Sequence, residues 1–233
     1  LGVDTRPVAI KNFLAYSLTR LGVDHVDIYR PARLDPSVPI EDTIGAIADL
    51  VKAGYVRQIG LSEVGADTIR RAHAVHPISD LQIEYAIISR GPEAKIFPVL
   101  AELGIAATVY GVLSRGLLSG ARPQKGDARA HLPRFSGENF ERNQKLVETL
   151  QELANERSLK PAQLAMAWVL AKSDFVIPVM GARTRAQLSE SMAAATIQLS
   201  PAEIERIEAA IPPGAVAGTR YDVCGMQSLD SEK

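Results

Sequence analysis

The sequence has little cysteine, no long uninterrupted apolar run and no excess of charge of one sign. One cysteine, Cys224, stands among 233 residues, which excludes an intrachain disulfide framework and a cysteine-cluster metal site and fits a reducing, cytoplasmic setting. The longest nearly uncharged apolar run, residues 103–113, is about half of the roughly 20 residues that a membrane-spanning helix needs. A net charge of −1 without any basic tract disfavours nucleic acid and membrane surfaces as partners. The four histidines lack the spacing of paired metal ligands, so we predict no metal site.

What is present is an alternation of helical and strand patterns. Apolar residues at helical spacing predict a first helix of about four turns, with Pro7 in its first turn and Gly22 at its end. We predict strands over residues 25–29, 56–61, 80–85, 105–110 and 175–179, and further helices over residues 39–52, 66–75, 92–103, 138–157, 161–171, 184–195 and 200–210. The strands are continuous apolar runs, which are typical of a parallel sheet covered by helices. Both an open doubly wound sheet and an eight-stranded barrel fit this pattern.

Two segments fall outside the alternation. Residues 112–136 contain glycine, proline, arginine and serine without apolar periodicity, which predicts a long loop of the kind that covers a site. Residues 212–233 are predicted to form an irregular tail that is loose or shaped by a ligand. We predict that residues 1–233 form a single domain that includes both segments.

Strings of residues at the predicted strand ends carry a more specific signal. They are residues 21–29 (LGVDHVDIY), 39–43 (PIEDT), 51–63 (VKAGYVRQIGLSE), 81–85 (LQIEY), 110–116 (YGVLSRG), 161–168 (PAQLAMAW) and 177–183 (IPVMGAR). In order and spacing these strings resemble the aldo-keto reductase family, from about Thr5 to Ile211. The resemblance implies a (β/α)8 TIM barrel, of which this chain holds the C-terminal portion with about five of the eight strands. It also implies an NADPH-dependent oxidoreductase that reduces the aldehyde or ketone carbonyl of a small-molecule substrate to an alcohol.

The resemblance assigns the nicotinamide end of the cofactor to residues at three strand ends. Ser62 and Gln82 offer a hydroxyl and a primary amide that would hydrogen-bond the nicotinamide carboxamide. Glu63 stands where many relatives have an asparagine. Tyr110 would stack its ring against the nicotinamide, and Gly111 would leave room beside it. A core tyrosine and polar groups that satisfy local backbone remain the alternatives.

The long loop begins with the residues that the resemblance assigns to the pyrophosphate. Leu113, Ser114 and Arg115 lie along that group in relatives, and a guanidinium pairs well with phosphate oxygens. An exposed loop arginine without a ligand would give the same pattern.

Another group of predicted contacts lies around the start of the helix after the last strand. It consists of Gly181, Arg183, Gln187, Glu190 and Ser191. A helix N-terminus favours an anion, so Arg183 there predicts binding of a ribose 2′-phosphate and a preference for NADPH, although an arginine that caps the helix would look the same. The resemblance assigns Glu190 to the adenine amino group, and Ser191 replaces the usual asparagine.

The catalytic residues of the family are not assigned in this chain. The family donates a proton from a tyrosine assisted by a lysine and an aspartate, and the resemblance puts all three before Leu1. Ala32 occupies the position of the histidine that orients the carbonyl, and alanine neither donates a hydrogen bond nor carries charge. We therefore predict a reductase fragment that is inactive alone. A non-catalytic nicotinamide-nucleotide-binding or regulatory interaction protein and an inert truncated product remain open, and the oligomeric state is not indicated.

Overall fold

The computed structural model describes residues 2–124 and 126–233 and divides the chain into two compact units. Unit 1 comprises the chain up to Ile83 together with Pro92–Ala107 and Gln227–Lys233. Unit 2 comprises Glu84–Gly91 and Thr108–Met226.

Five strands form one sheet in the order of the sequence. They are β1 Val26–Tyr29, β2 Val56–Ser62, β3 Ile78–Glu84, β4 Ala106–Tyr110 and β5 Val176–Pro178. β1 pairs with β2 and β2 with β3 in parallel, with Val26 opposite Val56 and Ser62 opposite Gln82. Parallel neighbours need crossover connections, and a helix follows each of the first four strands before the next one. The predicted parallel α/β arrangement is confirmed.

The described residues contain nine α-helices. They are α1 Pro7–Leu21, α2 Ile40–Lys52, α3 Ala66–Val75, α4 Pro92–Leu103, α5 Gly137–Glu156, α6 Pro161–Ala171, α7 Arg185–Ala193, α8 Pro201–Ala210 and α9 Val223–Gln227. Gly22 ends α1 in the left-handed conformation, as its position in the sequence predicts. Ser200 and Glu203 form a capping box at the start of α8. No helix among the described residues is long and apolar enough to cross a membrane.

Each unit has its own buried core. In unit 1 the branched side chains of Ile44, Ile59 and Leu81 bring α2, β2 and β3 together without solvent exposure. In unit 2 the single tryptophan, Trp168 on α6, is fully buried and stacks on Tyr85 with 5.4 Å between ring centroids. Apolar burial of this kind is the main favourable contribution to folding.

The predicted loop and tail contain more regular structure than the sequence indicates. Within residues 112–136, short 3-10 helices occupy Ser114–Ser119, Ala128–His131 and Pro133–Phe135. Asn143 on α5 accepts a hydrogen bond from Ala217 N (2.8 Å) in the predicted irregular tail and donates one to Ala217 O (2.9 Å). Asn143 is almost fully buried, so both hydrogen bonds are shielded from water.

Candidate cofactor-binding site

In unit 1, the predicted carboxamide residues lie side by side on adjacent strands. Ser62 ends β2, is almost buried, and is the register partner of Gln82 on β3. The backbone N–H of Glu63 donates to Gln82 O at 3.0 Å, which continues the ladder one residue beyond Ser62. Both polar side chains therefore stand at the carboxyl end of neighbouring parallel strands, where ligands of α/β proteins bind.

An arginine–aspartate pair lies two residues earlier on the same face of these strands. Arg30 Nε donates to the Asp80 carboxylate, and Asp80 is opposite Gly60 in the register. A Cβ on Gly60 would lie 2.5 Å from the Cγ of Arg30, so the glycine is what allows the arginine to cross β2. The sequence patterns missed this pair because its members are 50 residues apart. Ala32, nearby on the chain, is exposed and offers no polar side chain.

In unit 2, a cavity of about 980 Å³ collects most of the predicted cofactor residues. Its lining includes Tyr110, Gly111, Leu113, Arg115, Gly181, Arg183, Gln187, Glu190 and Ser191. Nine of the twelve predicted residues thus surround one cavity, although they come from two segments about 70 residues apart in the chain. We call this cavity the groove.

One wall of the groove is a strained backbone segment. Ser114 and Arg115 have positive φ angles of 45° and 56°, and Gly116 follows with 93°. A non-glycine residue in this region costs about 1–3 kcal/mol, and such residues concentrate at ligand clamps and active sites. The Ser114 hydroxyl is buried and has no hydrogen-bond partner among the described residues. A buried polar group of this kind, between two residues that line the groove, fits a site that takes a polar ligand.

A buried glutamate holds three arginines beside this segment. Glu84 lies at the end of β3 and its Oε1 accepts from Ser89 Oγ at 3.0 Å and from Arg134 Nη1 at 3.3 Å. Its Oε2 lies 3.8 Å from Arg115 Nη1 and 3.7 Å from Arg220 Nη1. One carboxylate therefore faces three guanidinium groups, which we call the Glu84 cluster.

The tail also reaches the groove through an aromatic residue. Tyr221 Oη lies 3.2 Å from Tyr110 Oη, and the Arg115 guanidinium lies 4.6 Å from the centre of the Tyr221 ring. Arg115 Nη1 also donates to the carbonyl of Arg220 at 3.2 Å. The predicted nicotinamide-stacking tyrosine thus has a second tyrosine beside it, which sequence reasoning missed because the tail has no periodic pattern.

An aspartate–arginine pair in the groove was also missed. Arg129 Nε donates to both oxygens of Asp127 at about 3 Å, and Arg129 Nη1 donates to Arg115 O at 2.7 Å. The side-chain hydrogen bonds from Arg129, followed by one from its backbone N–H, lower the pKa of Asp127 to about 2. The aspartate is therefore ionised and neutralised by its partner at neutral pH. The pair lies in a loop without periodicity, where no sequence signal marks it.

The start of α7 presents an arginine, Arg183, whose backbone and not its guanidinium is hydrogen-bonded in the described residues. Thr184 Oγ1 accepts from Gln187 N at 3.2 Å, while Gln187 Oε1 accepts from Arg183 N at 2.9 Å. These contacts use the backbone of Arg183 and leave its guanidinium without a hydrogen bond or ion pair to any residue in the described ranges. The alternative of a helix-capping side chain is not what the structure has, because Thr184 is the cap.

The residues predicted to contact the adenine are already paired or buried in the protein. Glu190 pairs with Lys160 Nζ, and Ser191 is almost buried on the same helix. Both residues line the groove, and the Glu190 carboxylate already has a cationic partner. No group of three or more potential metal ligands is found in the part of the chain that the structure describes.

Comparisons with known proteins identify the family. Residues 2–212 match the model of the aldo/keto reductase family. A probable aldo-keto reductase 1 from Glycine max is 40% identical over 224 residues, covering 94% of this chain and 64% of its own length. The aldo-keto reductase yakc [NADP(+)] of Schizosaccharomyces pombe is 38% identical over 229 residues, covering 95% of this chain and 67% of its own length. The chain belongs to the aldo/keto reductase family.

Solved structures agree with this assignment at the level of the fold. The glycerol dehydrogenase AKR11B4 from Gluconobacter oxydans superposes with a TM-score of 0.82 and 27% identity, over 93% of this chain and 68% of that chain. The thermostable aldo-keto reductase Tm1743, solved with the inhibitor epalrestat, gives a TM-score of 0.73 and 27% identity, over 88% of this chain and 67% of that chain. The predicted aldo-keto reductase type of fold is confirmed, and the chain spans about two thirds of the length of the relatives that it matches.

Proposed function

We propose that this chain supplies the NADPH-binding part of an oxidoreductase that reduces the carbonyl of small aldehydes or ketones. The observation that carries the proposal is the groove, because nine residues assigned to the cofactor from the sequence line that single cavity. The side chains that line the groove also carry a net positive charge, since three arginines face two carboxylates. Asp127 and Glu190 are each paired with a cation, and the guanidinium of Arg183, whose charge also helps to lower the pKa of Asp127, has no ion pair in the described residues and would attract an anionic ligand.

Each part of the groove has a chemical role in this proposal. Arg183 and the N-terminus of α7 would hold the ribose 2′-phosphate, since a guanidinium and free helical N–H groups both favour an anion. The strained segment would lie along the pyrophosphate, with the Ser114 hydroxyl as a hydrogen-bond donor. Tyr110 would stack on the nicotinamide ring. In unit 1, Ser62 and Gln82 remain the predicted partners of a nicotinamide carboxamide. When bound, NADPH supplies the hydride for the reduction.

The test is a comparison of two nucleotides by calorimetry. NADPH should bind the chain more tightly than NADH, and Arg183→Ala should weaken NADPH by about 10- to 100-fold, as expected for a charge-assisted hydrogen bond. The affinity for NADH should stay unchanged. Arg142→Ala is the matched control, because Arg142 is an exposed arginine of α5 that does not line the groove. Equal loss of both nucleotides in Arg183→Ala, or no binding of NADPH at all, would refute the proposal.

A second candidate is a non-catalytic nicotinamide-binding or regulatory protein. Ala32 favours it, since this position has no group that could orient a carbonyl. NADPH absorbance separates the two candidates, because a reductase should oxidise NADPH in the presence of a panel of aldehydes and ketones. Tight binding without any oxidation would favour the second candidate.

A further inference from the structure

The end of the chain is bound to the turn between β2 and α3. Asp230 Oδ2 accepts hydrogen bonds from Gly65 N at 2.9 Å and from Thr68 Oγ1 at 2.7 Å. Gly65 is the N-cap of α3 and has no side chain of its own to satisfy the first N–H groups of the helix. The Asp230 carboxylate therefore satisfies the N–H of the N-cap residue of α3 from 165 residues away.

The next residue binds the glutamate that follows Ser62. Ser231 N donates to Glu63 O at 3.1 Å, and Ser231 Oγ donates to Glu63 Oε2 at 2.7 Å. Glu63 is fully buried and has a positive φ of 54°, a backbone conformation that a glutamate rarely adopts. We call Leu229, Asp230 and Ser231 the clip, and Leu229 is the member that is buried.

The geometry of Gly65 shows how closely the clip approaches. A Cβ at this position would lie 3.1 Å from the carbonyl oxygen of Asp230, so only glycine leaves the backbone of the clip at its present distance. The turn thus has three features that fit the clip: a glycine for close approach, a helix start without its own cap, and a buried carboxylate that accepts from Ser231. Together they indicate a built contact and not an incidental one.

We infer that the clip positions Ser62 and Gln82 for the nicotinamide carboxamide, and that Glu63 serves as the receptor of the clip instead of contacting the cofactor. Glu63 lies directly after Ser62, and its N–H bonds to Gln82 O, so its orientation sets the end of both strands. Its carboxylate points to Ser231, whereas the asparagine found here in many relatives would offer an amide. The inference rests on the proposed function, and Asp230 and Ser231 act in it as positioning residues.

A purely structural clip makes a different prediction from a positioning clip. A structural clip would stabilise α3 and change the binding of every ligand of the chain alike. A positioning clip would change only the recognition of the nicotinamide. The two are separated by NADP⁺ and by 2′-phospho-ADP-ribose, which has the same phosphates and adenosine but no nicotinamide.

The experiment measures the dissociation constants of both ligands for the wild-type chain, Ser231→Ala and Ser231→Thr. We expect Ser231→Ala to weaken NADP⁺ by about three- to tenfold, the effect of losing roughly one well-aligned hydrogen bond. The affinity for 2′-phospho-ADP-ribose should not change, which also shows that this variant is folded. Ser231→Thr keeps the hydroxyl and should behave as the wild type.

Each outcome decides a different claim. If Ser231→Ala leaves the ratio of the two constants unchanged, or if Ser231→Thr fails as Ser231→Ala does, the inference about the clip is overturned. If the wild-type chain binds neither ligand, the proposed function itself fails. A selective loss of NADP⁺ affinity that threonine restores would support the clip as a positioning device.

Discussion

Removing the charge of Glu84 should destabilise unit 2 more than any surface ion pair would. In Glu84→Gln, the amide keeps the shape of the side chain and its hydrogen bonds from Ser89 and Arg134. The charge that balances three guanidinium groups is lost, and two of these, on Arg134 and Arg220, are themselves almost fully buried. Breaking a buried ion pair by removing one partner costs about 3–5 kcal/mol. We expect the lower end, about 3 kcal/mol, because the hydrogen bonds survive.

Tryptophan fluorescence is the suitable assay, since the single tryptophan lies in the core of unit 2 and reports on its unfolding. A loss of about 3 kcal/mol corresponds to a fall of roughly 1–2 M in the urea midpoint at a slope of about 2 kcal/mol/M. Glu156→Gln is the control, because Glu156 pairs with Arg206 on the exposed surface and its loss should leave the midpoint unchanged. A midpoint for Glu84→Gln that matches this control would refute the reasoning that the cluster is shielded from water.

Substitutions elsewhere test the steric and electrostatic claims. Gly60→Ala would bring a Cβ to 2.5 Å from Arg30 Cγ. Urea unfolding should show that this change lowers the free energy of unfolding by about 1–3 kcal/mol. The double variant with Arg30→Ala should lose less stability than the sum of the two single variants, because the clash is then removed. The hydrogen bonds from Arg129 lower the pKa of Asp127 from 3.8 to about 2. Their contribution to the free energy of unfolding is therefore complete above the unfolded pKa near 3.8 and is lost as the pH falls toward 2. Acid unfolding of Asp127→Asn should lack this pH dependence, and an acid-unfolding curve equal to that of the wild type would contradict the prediction. Asn143→Ala removes both hydrogen bonds to Ala217, so limited proteolysis should cut residues 212–222 faster than in the wild type, and an equal rate would show that these hydrogen bonds do not hold the tail.

Much of the secondary structure could be predicted because its signals are local. The starts and ends of α3, α4 and α6 are as predicted, since proline, glycine and apolar spacing mark them within a few residues. β3 begins at Ile78, two residues before the predicted start at Asp80, because Ser79 interrupts the apolar pattern there. Ser79 is accommodated by donating to Ile59 O at 3.1 Å, a partner that the linear pattern does not reveal.

The groove was largely predictable, and the buried charges were not. The residues of the groove lie in short strings that can be recognised one at a time, and the fold then brings these strings together. The pairs Arg30–Asp80 and Arg134–Glu84 each join residues 50 positions apart. Hydrophobic periodicity carries no information about such pairs, because it reports which face of an element is buried and not what lies opposite a charge.

The hydrogen bond that the Asp230 carboxylate accepts at the start of α3 has a consequence for the order of events during synthesis. At about 5–20 residues per second, a ribosome needs roughly 10–30 seconds to make the 165 residues between Gly65 and Asp230. Throughout this interval the N–H of Gly65 lacks the carboxylate that accepts from it in the folded chain. The nascent chain should therefore acquire a fixed turn after Ser62 late, when all five described strands of the sheet have been translated.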